Sequence, residues 1–212
     1  MSAPAPAYSL RDVTVRLGER DVLSHVTADF AADRVHVVRG ASGAGKTTLL
    51  RLLMGLVEPA SGSVARPAGA RLAAAFQEDR LLDSLTVSAN VRLPYGRVGG
   101  PERARLLDET RRALAAVGMA GLESARAGEL SGGQRRRVSL LRAGLATSDV
   151  VFLDEPLRGL DEGTAHATMA WLLPRLGHKT VFWVTHSEAE AAALPDPVLW
   201  TVDGGHVRPL GM

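Results

Sequence analysis

No cysteine occurs in the 212 residues, which excludes disulfides, thiolate metal sites and thiol redox chemistry, and fits a reducing cytosol. No uninterrupted apolar run approaches the roughly 20 residues of a membrane-spanning helix, so the chain is not expected to cross a bilayer alone. Its start, MSAPAPA, lacks the basic residues and apolar core of a signal peptide. Aromatics are scarce at 4%, which predicts a core built mainly of Ala, Leu and Val. A dominant sign of charge is also missing: 25 Lys+Arg against 23 Asp+Glu leave +2, so any anion must be recognised locally and no nucleic-acid partner is expected. With 46% hydrophobic residues, one compact unit with a substantial core is expected, ordered except at the ends.

The patterning predicts an α/β chain. Val13, Val15 and Leu17 alternate with polar neighbours, as do Val26, Ala28 and Phe30, which reads as an antiparallel β layer with one buried face. Val35–Val38 is strand-length and ends at Gly40, while Leu49, Leu50, Leu52, Leu53 and Leu56 continue at helical spacing before Pro59. Leu72–Phe76, Val150–Leu153 and Thr180–Val184 are apolar runs of buried-strand length, suited to a mainly parallel sheet. Residues 81 to 129 are patterned as helices, with Pro101 in a first turn and Leu106, Leu107, Leu114 and Val117 on one face before Gly118. VLWTVDGGHVRPL reads as a closing hairpin turning at Asp203, Gly204 and Gly205.

GASGAGKTT comprises Gly40, Ala41, Ser42, Gly43, Ala44, Gly45, Lys46, Thr47 and Thr48, and satisfies G-x-x-x-x-G-K-[ST] between a strand and a helix. Its glycines let backbone N–H groups converge on phosphates, Lys46 brings charge to the β and γ positions, and Thr47 is placed to ligate magnesium. Further along, VVFLDEP delivers two carboxylates to a buried strand end, where open α/β sheets bind ligands. Asp154 suits the magnesium shell and Glu155 the polarisation of a water for attack on phosphorus. In LSGGQ, Ser131 and Gln134 have the spacing of a capping box, a purely structural reading. Two consecutive glycines, Gly132 and Gly133, exceed what a cap needs and suit close approach of a second anion to a helix start.

Taken in order, GASGAGKT, Gln77 after a strand, LSGGQ, VVFLDEP, Asp161 and His186 resemble the nucleotide-binding subunit of an ATP-binding cassette (ABC) transporter, over nearly the whole chain. That resemblance implies a phosphate-loop ATPase core with a mainly parallel sheet, an N-terminal antiparallel β layer and an inserted helical subdomain. It implies one ABC ATPase domain over 1–212, with 1–80 and 136–212 as catalytic core and about 81–135 as helical subdomain. By the same resemblance two subunits meet head to tail, and Ser131, Gly132, Gly133 and Gln134 reach the partner's ATP. Gln77 is similar to the family's magnesium-reaching glutamine that senses the membrane subunit, and His186 to the histidine contacting the γ-phosphate. Asp161 matches the aspartate of the loop coupling the two sites, although Arg158 and Gly159 depart from the family's small polar pair. Leu17 takes the place of the aromatic that stacks on adenine, which implies weaker or less selective base binding.

FQEDRLLDSLTVSANVRLP, with Glu190 and Ala191 after His186, looks most like import subunits for small solutes such as nitrate, sulfonates or thiamine precursors. Asp83 and Ser84 replace the usual Pro-Trp of those subunits. The implied partners are a second copy, transmembrane permease subunits and, for an importer, a solute-binding protein, with ATP and Mg2+ as ligands at the cytoplasmic face of the cell membrane. No appended regulatory domain is expected after the hairpin. Competing readings are a non-transport ABC ATPase acting on nucleic acid or the ribosome, and an ATP-binding module with weakened hydrolysis. The short separation of Lys46 from Leu130 and the single cassette count against the first. The presence of Lys46, Gln77, Asp154, Glu155 and His186 counts against the second. Arg135 to Arg137 read as the solvated face of the helix after LSGGQ.

Overall fold

In the computed structural model, residues 6–210 are described; the first five residues of the MSAPAPA start lie outside them. The element order is β1 (Pro6–Leu17), β2 (Arg20–Ala31), β3 (Val35–Arg39), α1 (Lys46–Leu53), β4 (Ser61–Ala65), β5 (Leu72–Ala75), α2 (Val87–Arg92), α3 (Gly100–Ala116), α4 (Gly132–Leu145), β6 (Val150–Asp154), α5 (Glu162–Leu176), β7 (Thr180–Val184), α6 (Glu188–Ala193), β8 (Val198–Asp203) and β9 (His206–Pro209). Short 3-10 turns follow α2 at Leu93–Tyr95 and precede α4 at Ala127–Glu129. The chain divides into two compact units, one of residues 1–72, 148–155 and 178–212, the other of 73–147 and 156–177.

The first unit holds an antiparallel layer in the order β2-β1-β4 and, packed with it, strands in the order β6-β7-β3-β8-β9. β3 pairs in parallel with β7 and β8, and β6 with β7, while β8 and β9 form the antiparallel hairpin that turns at Gly204 and Gly205. Every residue of β6 and β7 is buried, because both sheet faces are covered and a strand there has no polar side to offer. Val13 and Val15 of β1 are fully buried as expected, but Thr14 between them is buried as well, where the strand's register against β2 shifts, and Leu17 at its end is 46% exposed. The leucines of α1 are buried as far as Leu53; the helix stops there, so Leu56 is exposed rather than a further turn of the apolar face.

The few aromatics do more than their number suggested. Aliphatic side chains make up most of the core, yet the β layer meets the parallel strands through rings. Tyr8 of β1 stands edge-on to Phe182 at 5.4 Å and to Phe152 at 6.2 Å, and Phe152 stacks on Phe182 at 5.1 Å. Phe30 of β2 meets Trp200 of β8 at 4.4 Å. Rings span the gap between two sheets with few rotatable bonds, which concentrates rigid contact where the layers join.

The second unit contains α2, α3, α4 and α5, with residues 81–129 forming helices, turns and one isolated bridge between Thr86 and Arg126. Pro101 sits in the first turn of α3, and Leu106, Leu114 and Val117 are buried as their spacing predicts. Asn90, fully buried on α2, accepts from the Leu82 N–H at 2.8 Å and donates to the carbonyls of Leu82, Leu85 and Thr86. One amide thus organises the whole 82–86 turn that precedes α2.

Candidate functional site

β3 ends at Arg39 and the chain enters the glycine-rich loop. Gly40 has φ 152°, and a Cβ there would lie 2.2 Å from the Val202 carbonyl oxygen of β8, so the loop passes too close to its neighbour for any side chain. Gly45, at φ 109°, is the N-cap of α1 and lets the helix start abruptly at Lys46. α1 has no acidic residue in its first turn, which leaves the positive end of the helix uncompensated and open to an anion. Ala41, Ser42 and Gly43 are exposed along the loop and Ala44 half-buried, while Thr48 points into the core.

Lys46 is 7% exposed and its Nζ donates to the carbonyls of Gly40 at 2.9 Å and Ala41 at 2.8 Å. Burial pushes its amine down, and the charges of Glu155 and Asp154 act in the opposite direction. Thr47 donates from Oγ1 to Asp154 Oδ2 at 2.7 Å, joining the start of α1 to the end of β6. Asp154 is 4% exposed, delivered to this depth by four apolar residues.

The next residue, Glu155, has φ 48°, a left-handed conformation that costs a non-glycine residue roughly 1–2 kcal/mol. Its N–H bonds the Val184 carbonyl of β7 at 2.9 Å, which holds the turn in that shape. The result aims the carboxylate at His186, whose Nε2 lies 3.0 Å from Glu155 Oε1. His186 lies two residues past the end of β7, and Ser187 caps α6 just beyond by accepting from the Glu190 N–H at 3.2 Å. Glu190 itself accepts from Trp183 Nε1 at 3.1 Å, which ties α6 back to β7. Lys46, Thr47, Asp154, Glu155 and His186 thus converge within the first unit from three separate stretches of sequence.

In the second unit, Ser131 and Gln134 form the full capping box at the start of α4: Gln134 N–H donates to Ser131 Oγ at 3.3 Å, and Ser131 N–H to Gln134 Oε1 at 2.9 Å. The capping explanation of those two residues is therefore correct. It does not extend to Gly132, where a Cβ would meet no atom within 4 Å, or to Gly133, where it would make ordinary contact with Leu160. Gln77 is exposed just after β5 and borders a concavity of about 330 Å³ with Asp79, Gly132, Gly133 and Arg158. Asp161 caps α5 by accepting from the Thr164 N–H at 2.9 Å, and that bond holds its carboxyl below the usual range. Leu17 lies at the exposed end of β1.

The basic run after LSGGQ is not a solvated face. Arg136 is 5% exposed and donates to the Phe76 and Gln77 carbonyls; Arg135 reaches Asp83 Oδ1 and the Ala127 carbonyl; Arg137 reaches the Val117 and Gly133 carbonyls. Charge patterning missed them because the carbonyls they satisfy are, for the most part, distant in sequence. His206 and Arg208, which border a concavity of about 360 Å³ with Gly40 and Ala41, were likewise not marked by any motif.

A glycine-rich loop between a parallel strand and a helix, with lysine and threonine opening the helix and a buried aspartate bonded to that threonine, defines a phosphate-loop nucleotide hydrolase. The ABC transporter family description matches residues 23–158. The chain is 38% identical over 208 residues to the aliphatic sulfonates import ATP-binding protein SsuB 1 of Agrobacterium fabrum, covering 95% of this chain and 72% of that protein. It is 40% identical over 203 residues to SsuB 3 of Rhodococcus jostii, covering 94% and 72%. The chain belongs to the ABC transporter family and is an ATPase of that family. Its fold is shared by the dimeric post-hydrolysis state of the ATP-binding cassette MJ0796 bound to ADP and Pi, with a TM-score of 0.81 at 24% identity, over 97% of this chain and 99% of that one.

Proposed function

We propose that two copies of this chain close head to tail on ATP and power import of a small sulfonate-type solute through permease subunits, at the cytoplasmic face of the membrane. The names of its relatives support the solute class, and the dimeric, ADP- and Pi-bound neighbour supports the working assembly. A solute-binding protein would deliver the solute, as the importer reading implies. Among the described residues no helix is long and apolar enough to cross a membrane, and the permease subunits would supply the spanning segments.

The observation that carries the hydrolytic reading is Glu155, held at φ 48° with its carboxylate 3.0 Å from His186 Nε2. A carboxylate fixed this way orients a water and accepts its proton as oxygen attacks the γ-phosphorus, while the His186 imidazole positions both the base and the phosphate. Lys46 exchanges its two carbonyl partners for β- and γ-phosphate oxygens, a positioning and electrostatic contribution. The loop N–H groups of residues 40–48 cradle the phosphates, and Leu17 packs on the base.

Thr47 and Asp154 present two oxygen donors 2.7 Å apart, which fits Mg2+, an ion that takes one or two protein oxygens and fills its shell with water and phosphate. Gln77 is assigned as a further contact. When bound, magnesium offsets negative charge on the transferred phosphoryl group. Gly132 and Gly133, with Ser131 and Gln134, reach the partner's ATP, which accounts for a glycine whose side-chain space is empty within its own chain. Asp161 joins the two sites.

Glu155→Gln tests the base assignment in the complex purified with its membrane subunits. ATP binding is expected to persist and steady-state phosphate release to fall by about 10²–10⁴-fold. Release near the wild-type rate would remove Glu155 from that role.

A further inference from the structure

Arg136 lies just over one turn into α4 and is 5% exposed. Its guanidinium donates to the carbonyls of two successive residues, Phe76 and, at 3.0 Å, Gln77, and stands 3.2 Å from Asp79 Oδ1. Arg142, farther along the same helix, donates to the Asp79 carbonyl at 3.1 Å and the Arg80 carbonyl at 3.0 Å. Arg135 takes the Asp83 carboxylate at 2.7 Å. Three arginines of one helix therefore hold the backbone or side chains of residues 76, 77, 79, 80 and 83, a stretch that has no regular structure of its own.

Irregular backbone of this kind is set by whatever satisfies its carbonyls. Among the three arginines, Arg136 alone binds at Gln77, and it is the most deeply buried. Asp79 Oδ1, 3.2 Å from the same guanidinium, adds a third point of attachment on the segment, so one side chain holds residues 76, 77 and 79 together. A planar guanidinium bridges two adjacent carbonyls with fixed geometry; an ammonium on a flexible stem does not.

We propose that Arg136 is the positioning residue for Gln77, tying the segment that carries it to the helix that begins with LSGGQ. The inference rests on the reading of Gln77 and LSGGQ given above. In that reading Gln77 serves the chain's own ATP and LSGGQ serves the partner's, so Arg136 links the two ATP sites of a dimer through one buried side chain. A displacement at the start of α4 moves Gln77 with it.

The test uses full-length R136K, R136Q, Q77A and the Q77A/R136Q double variant. Amide hydrogen exchange is followed over residues 76–83, and phosphate release is followed against magnesium and against ATP. In R136K and R136Q, exchange over 76–83 is expected to rise about tenfold or more, with β3, β6 and β7 still protected. The magnesium needed for half-maximal hydrolysis is expected to rise several-fold, with KM for ATP at saturating magnesium within about twofold of wild type. The steepness of the ATP dependence is expected to fall, and the double variant to match Q77A alone. R136K behaving like wild type, or unchanged exchange over 76–83 in both Arg136 variants, overturns the proposal. So does faster exchange with an unmoved magnesium midpoint, provided Q77A moves it. A midpoint that Q77A leaves unchanged overturns the reading of Gln77 instead, and the exchange data still decide whether Arg136 holds the segment.

Discussion

Thr47 Oγ1 and Asp154 Oδ2, 107 residues apart in sequence, share a hydrogen bond of 2.7 Å that joins the start of α1 to the end of β6. The bond gives the buried aspartate a donor, and in the proposed reading it sets the hydroxyl and the carboxylate side by side for one cation. Thr47→Val replaces the hydroxyl donor with a methyl group of similar size, so it is expected to cost about 1–3 kcal/mol of stability, several degrees of melting temperature, together with magnesium-dependent hydrolysis. Thr47→Ser restores the hydroxyl and both properties. Equal melting temperatures for Val and Ser would show that the bond contributes nothing.

Gly132→Ala separates folding from assembly. The residue is helical with ordinary φ and the space beside it is empty, so alanine is expected to leave stability unchanged or raise it by about 0.5–1 kcal/mol. Hydrolysis by the assembled transporter is expected to fall at least about tenfold, because a methyl group blocks close approach of the partner's phosphates. Wild-type turnover would mean that nothing approaches Gly132.

Leu17→Tyr supplies an aromatic face where the family places one. Affinity for ATP is expected to rise by about 2–10-fold, the worth of roughly 0.5–1.5 kcal/mol of ring contact, with little change at a base-less triphosphate. Identical binding by both chains, measured by titration calorimetry, would move the base away from Leu17.

His36 predicts a pH dependence of stability. It is 1% exposed, accepts from Trp200 Nε1 at Nδ1 over 3.1 Å, and donates from Nε2 to the Ala31 carbonyl at 2.9 Å, so the buried ring is neutral. Burial pushes its pKa down, the Ala31 bond opposes this, and Arg34 adds to the lowering. A depressed folded pKa means that the unfolded chain takes up the proton first. The contribution is complete above the unfolded value of about 6.5 and is lost as pH falls below it towards the folded pKa, by at most about 1.4 kcal/mol per pH unit. Melting curves between about pH 7.5 and 5 are expected to show this fall in the wild type and a flatter profile in His36→Gln.

Much of this architecture was legible because it is local. The apolar runs at Val150–Leu153 and Thr180–Val184 became fully buried strands, and DGG became the turn of the closing hairpin. Ser131 and Gln134 announced their own capping box. Leu56 misled because helical spacing continued past the residue where α1 stops. Arg135, Arg136 and Arg137 misled for a different reason: a charged run carries no mark of the carbonyls that will bury it.

The sequence by itself determined the phosphate loop, the order of the motifs around it and the strands that carry them, since glycine placement and side-chain periodicity act over a few residues. Only the tertiary structure decided that Glu155 turns left-handed to face His186, that Gly40 must pass under Val202, and that Arg136 grips the segment of Gln77. Each of those depends on a backbone group or side chain from distant chain, brought close by burial of the strands and helices between them.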